Sequence, residues 1–161
     1  MSKVRLVIAD ADALIALSSK VDANHEKAKD ILQTLTTTQA NVLFPITAIC
    51  EAVAAIRRKF NNPEAARHVV EQVQSENFLV QTIEKNPFFH ALTLFNPHGS
   101  KRNTIFDAVV AAVAKELHAD AIFSFDEWYE KQGFTLASNL LPAEPQQEEP
   151  EPEPEEGQQA A

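Results

Sequence analysis

Short apolar runs alternate along the chain with longer stretches whose apolar residues recur every three or four positions. The first run, VRLVIAD at residues 4–10, is nearly continuous and rich in β-branched residues, the pattern of a parallel strand buried on both faces. HEKAKDILQTL then places Ala28, Ile31, Leu32 and Leu35 at helical spacing, and NVLFP reads as a second strand stopped at Pro45. ITAICEAVAAIRRKF predicts a helix with a buried stripe of Ile49, Val53, Ile56 and Phe60. The next helix has Asn62 as its N-cap and Pro63 at its first position. FLVQTI predicts a third strand, NPFFHALTLF a helix and NPHGS a loop. TIFDAVVAAVAKELHA predicts a helix with Phe106, Val109, Val110, Val113 and Leu117 facing inward. DAIFSFD is a fourth strand, and GFTLA a short last one. Strands alternating with helices through short loops predict an α/β domain with a mostly parallel sheet of four to five strands.

Composition sets the limits of that domain. The 161 residues suit one domain, which at this size buries roughly 68% of the surface of its unfolded chain. The segment from Pro142 onward contains seven Glu and no Lys or Arg, with too few apolar residues to offset the entropy of ordering it. Residues 1–141 are therefore expected to form the domain and 142–161 a disordered acidic tail. Removing the tail from the count changes the charge picture: the whole chain carries −9, the body only −2, so a nucleic-acid partner is not excluded. Cys50 is the one cysteine and falls in a helical pattern, where a buried structural thiol is expected. With no leader-like start and no membrane-length apolar stretch, a cytoplasmic protein is expected.

The candidate chemistry is acidic. Open α/β sheets form sites just beyond the carboxyl ends of their strands. Asp10 ends the first predicted strand and Asp126 the fourth, with Ser124 on the same face as Asp126. Asp107 falls in the first turn of its helix, and Glu51 lies off the apolar stripe of its own. Each has a plainer role open to it: Asp107 as a partner of the helix dipole, Glu51 as a solvated charge, Asp126 and Asp12 as helix caps. Together the acids face a cost, since two carboxylates about 5 Å apart repel by roughly 3 kcal/mol at an effective dielectric near 20. A hard divalent cation held by oxygen ligands relieves that repulsion, and Mg²⁺ or Mn²⁺ is the expected choice.

The order of these acids resembles the PIN-domain ribonucleases, especially the VapC-type toxins of toxin–antitoxin pairs. The resemblance rests on VIADADALI, on FPITAICEAVAAIRR, and on IFDAVVAAVAKELHADAIFSFD, and spans roughly residues 4–136. It implies a PIN-like three-layer α/β/α sandwich and a Mg²⁺- or Mn²⁺-dependent endoribonuclease that cuts single-stranded RNA by water attack. Asp10, Glu51, Asp107 and Asp126 would form the metal site, with Asp12 and Ser124 in support. Ala11 departs from the family pattern, which commonly has Thr or Ser there. Arg57, Arg58, Lys59, Lys101 and Arg102 are candidates to guide the RNA backbone. The resemblance also implies a homodimer and a small antitoxin partner. Two rivals stand beside it. Asp10-x-Asp12 also opens haloacid dehalogenase-like phosphatases, but those want Gly and Thr where this chain has Ala13 and Leu14. The other is a non-catalytic PIN-like binding module, against which the presence of all four acids argues.

Overall fold

The computed structural model describes residues 5–141, so the expected tail, 142–161, lies outside the described residues. Four strands, β1 (Leu6–Ala9), β2 (Asn41–Pro45), β3 (Leu79–Gln81) and β4 (Ala121–Phe123), form one sheet in the order β3-β2-β1-β4, and every pairing is parallel. Val7, Ile8 and Ala9 are all fully buried although successive strand residues face opposite ways, so helices cover both faces of β1.

The helices are α1 (Ala11–Ser18), α2 (His25–Thr37), α3 (Ile46–Arg58), α4 (Pro63–Gln74), α5 (Lys85–Leu94), α6 (Ile105–Glu116) and the short α7 (Trp128–Lys131). They complete a three-layer α/β/α arrangement in which α1, α3 and α4 pack together and α5 packs along α6. Asn62 caps α4 as expected, accepting a hydrogen bond from the Ala65 amide. On α6, every residue from Asp107 to Ala114 is buried, because its alanines let neighbouring elements close on all sides.

Several expectations are corrected. GFTLA adds no strand: it contributes one parallel bridge, Ile122 with Leu136, before a 3-10 turn at Ala137–Leu140. On α3 the buried face is Ala48, Ile49, Ala52 and Ile56, which leaves Val53 half-buried and Phe60, beyond the helix end, exposed. Cys50 projects away from that face and is exposed, contrary to the expected buried thiol. Phe106 precedes the buried stretch of α6 and is exposed, and Leu117, past its end, is half-buried.

The chain runs β1, β2, β3 outward to one edge and then returns to place β4 on the other side of β1. The strand order therefore reverses beside β1, and the crevice beyond the carboxyl ends of β1 and β4 is where such sheets bind ligands.

Candidate active site

The acids gather at that crevice. β1 stops at Ala9 and α1 starts at Ala11, so the single residue between them, Asp10, is the helix cap: its Oδ1 accepts from the Ala11 amide at 2.6 Å. Its own amide donates to the Phe123 carbonyl at 3.0 Å, tying the end of β1 to the end of β4. The other oxygen, Oδ2, accepts from the Tyr129 hydroxyl at 2.9 Å and lies 3.2 Å from the Ser124 hydroxyl.

Asp12 does not cap α1, because strand and helix are too close for the cap to fall later than Asp10. It sits in the first turn and reaches across to the segment after β4, where its Oδ2 accepts from the Ser124 hydroxyl at 2.8 Å and the Phe125 amide at 2.7 Å. The opposite oxygen, Oδ1, is sealed from solvent and has no hydrogen-bond partner. Ser124 is nearly fully buried between the two aspartates, and its single proton cannot serve both at once. Its oxygen also accepts from the Asp126 amide at 3.1 Å.

Asp107 enters at the start of α6 through a capping box: its Oδ2 accepts from the Thr104 amide and, at 2.9 Å, from the Thr104 hydroxyl. Asp126 lies three residues past β4, where Oδ1 accepts from the Trp128 amide at 2.8 Å and Oδ2 from the Asn103 side chain at 3.1 Å. Asp107 thus takes the first-turn place expected of a helix-dipole partner, whereas the N-cap of α7 is Glu127, so Asp126 bonds the Trp128 amide from one residue outside the expected capping position. Glu51 arrives from α3, half-buried.

All five acids, Asp10, Asp12, Glu51, Asp107 and Asp126, line one cavity of about 270 Å³, together with Lys59, Arg102 and the exposed Phe60. Arg57, Arg58 and Lys101 are exposed but lie outside its lining. Among the described residues, none of the five acids forms an ion pair. Their titration registers the crowding. Burial, and then the charges of Asp12 and Asp107, push Asp10 well above the usual carboxylate range. Burial raises Asp12 to about 6, and burial together with Asp107 and Asp12 raises Glu51 to about 7. Asp107 is also raised, chiefly by burial. As placed, no three His, Cys, Asp or Glu side chains among the described residues stand close enough together to hold a metal ion.

Two residues outside the sequence-based set belong to this site. Tyr129, fully buried, holds Asp10, and the Asp10 charge together with burial pushes its hydroxyl well above the usual tyrosine range. Asn103 steadies Asp126 from the loop before α6. The signal for Tyr129 was a hydroxyl-bearing ring three residues after Asp126, where a plain apolar residue would have filled the core.

Compared with known protein families, residues 7–134 match the PIN domain. No curated protein matches the chain closely enough to count as a relative. Among solved structures, the fold resembles that of VapC20 from Mycobacterium tuberculosis, described as a sarcin-ricin loop cleaving toxin. The TM-score is 0.67 at 19% sequence identity, over 80% of this chain and 96% of that one. That match shows a shared fold, and PIN membership leaves no place for the phosphatase alternative. The family match covers all five acids of the cavity, and the chain belongs to the PIN-domain family.

Proposed function

We propose that this chain is a Mg²⁺- or Mn²⁺-dependent endoribonuclease that cuts single-stranded regions of RNA, and a VapC-type toxin restrained by a small antitoxin. The observation that carries the reading is the set of five carboxylates, none of them ion-paired among the described residues, lining one cavity at the strand-order reversal of a PIN fold. Oxygen-only donors, raised carboxylates and the partnerless Asp12 Oδ1 fit a hard divalent cation. Asp10, Glu51, Asp107 and Asp126 would hold it. When bound, the cation supplies a water of lowered pKa and charge to balance that developing on the phosphate.

The chain's own residues do the rest. Tyr129 and the Ala11 amide fix the orientation of Asp10, while Ser124 and the Phe125 amide fix Asp12. Burial and the charges of Asp107 and Asp12 raise Glu51 to about 7, so it gives up its proton near neutral pH as a cation binds. Arg102 and Lys59 at the rim draw the RNA backbone toward the acids, with Arg57, Arg58 and Lys101 extending the basic surface. A homodimer fits the exposed apolar face of α5, where Phe88, Phe89 and Leu92 are 42%, 57% and 46% exposed. The protein acts in the cytoplasm on this reading.

The test incubates the purified chain with a labelled unstructured RNA in Mg²⁺ or Mn²⁺, with and without EDTA, beside Asp10→Asn. Cleavage is expected only with metal and only in the wild type, with a loss of at least about 100-fold in the variant at unchanged circular dichroism. Cleavage that persists in EDTA refutes the metal dependence, and no cleavage in either metal refutes the nuclease reading and favours the binding module.

A further inference from the structure

A second, larger cavity of about 520 Å³ shares Asp12, Asp126 and Arg102 with the acidic one, so whatever fills it lies beside the reacting centre. Its remaining walls differ in chemistry. Phe125 and Trp128 supply aromatic surface, Lys131 a cation, and Ser100 and Asn103 neutral hydrogen-bonding groups. The volume lies within the roughly 300–1,000 Å³ range of small-ligand sites.

Both rings are held in place before any ligand arrives. Phe125 meets the edge of Phe123 at 6.2 Å between centroids and carries the Lys27 ammonium 6.0 Å from its own. Trp128 packs edge-on against the buried Tyr129 at 5.2 Å, and its amide is bonded to Asp126. Rings fixed in this way lose little freedom when a base stacks on them. Arg102 and Lys131 suit phosphate oxygens, and Asp12, Asp126 and Glu127 line the same cavity.

We propose that this cavity is a subsite for one unpaired nucleotide next to the scissile phosphate, its base on Phe125 and Trp128 and its backbone phosphate on Lys131 and Arg102. The proposal rests on the reading of the chain as a ribonuclease and adds how it selects single strands, because only an unstacked base presents its face to such walls. Lys131, Trp128 and Phe125 thereby become substrate-binding residues.

Trp128 is the chain's one tryptophan, so its emission reports the subsite directly. The experiment titrates an adenosine hexanucleotide, and the same sequence closed in a duplex, into the full-length protein in Ca²⁺. Tryptophan emission is followed alongside the anisotropy of a labelled hexamer. The hexamer is expected to quench emission saturably at the concentration that raises anisotropy, and the duplex to bind at least about 10-fold more weakly. Trp128→Leu should weaken the hexamer about 10-fold or more, Trp128→Phe by less than about 3-fold, and Lys131→Ala by several-fold at low salt. Hexamer binding that leaves the emission unchanged overturns the subsite, as does failure to bind or full affinity in Lys131→Ala. Cleavage in Mg²⁺ without quenching removes the subsite but leaves the nuclease; quenching without cleavage does the reverse.

Discussion

Asp12→Asn isolates the electrostatic cost of the cavity, because the substitution keeps the side chain's shape and its bonds while removing one charge. Asp12 Oδ2 accepts from Ser124 and Phe125, and an Asn oxygen can accept both. Among the described residues Oδ1 has no hydrogen-bond partner, so the new amide nitrogen takes the place of an oxygen that gained nothing there. Folding raises the Asp12 carboxyl from 3.8 to about 6. The native state therefore binds more protons than the unfolded chain across that window, and stability falls as pH rises through it. Well below its unfolded value of 3.8 the aspartate is neutral in both states and costs nothing. Above pH 6 the ionised form costs on the order of 3 kcal/mol in the metal-free protein.

Asn still has to be buried, so we expect it to recover about 1–2 kcal/mol at pH 8, a rise in Tm of roughly 2–8 °C for a chain this long. The assay is thermal unfolding in EDTA from pH 4 to pH 8, wild type beside variant. The gap should be near zero at pH 4, open between pH 4 and 6 and hold steady above. Mn²⁺ at a hundred times its dissociation constant should add about 2.7 kcal/mol to the wild type and most of that to Asp12→Asn, whose proposed metal ligands are intact. A gap of equal size at pH 4 and pH 8, or a loss of stability at pH 8, refutes the account of the cavity as a set of uncompensated charges.

Glu51, raised to about 7, predicts that Mn²⁺ binds more tightly as pH rises from 6 to 8, because a ligand must lose its proton first; calorimetry on Glu51→Gln should show a flatter pH dependence. Phe89→Glu, at the most exposed residue of the α5 apolar face, should halve the mass seen by light scattering, and a wild-type monomer at micromolar concentration refutes the dimer. Deleting residues 142–161 should leave Tm nearly unchanged and raise RNA affinity at low salt only, since it removes seven acidic charges whose repulsion salt screens; an effect equal at high salt refutes the electrostatic reading.

What the sequence made legible was local. The unbroken run around Val7, Ile8 and Ala9 marked a strand buried on both faces, and Asn62 with Pro63 marked the start of α4, because strand burial and helix capping are decided within a few residues. Asp10, Asp107 and Asp126 could be named from their places at strand and helix ends and Glu51 from its place off the apolar stripe of α3, and the structure brings all four to one cavity with Asp12. What stayed hidden depended on distant packing. Phe106 and Phe60 carry the right spacing for a buried stripe, yet nothing in their own segments shows that the core ends one turn away. Tyr129 meets Asp10 across 119 positions of chain, a contact that no periodicity announces.

The two aspartates of VIADADALI show why plain and chemical roles of an acid need not compete. The same carboxylate can serve the fold and face the cavity. Asp10 spends Oδ1 on the Ala11 amide, Asp107 spends Oδ2 on Thr104, and Asp12 spends Oδ2 on Ser124 and Phe125. These ordinary caps and crosslinks aim the carboxylates without a dedicated scaffold, so each acid is mounted by interactions that would exist in a protein with no chemistry to perform. The cost appears on the other side of the group, as raised carboxyl pKa values and a buried Asp12 oxygen with no partner. Purely structural acids would be expected to lie apart or beside cations. Here none is ion-paired among the described residues, and the caps that hold them in one cavity also keep them from separating. An arrangement that holds like charges together at a cost is the one that a divalent cation would stabilise.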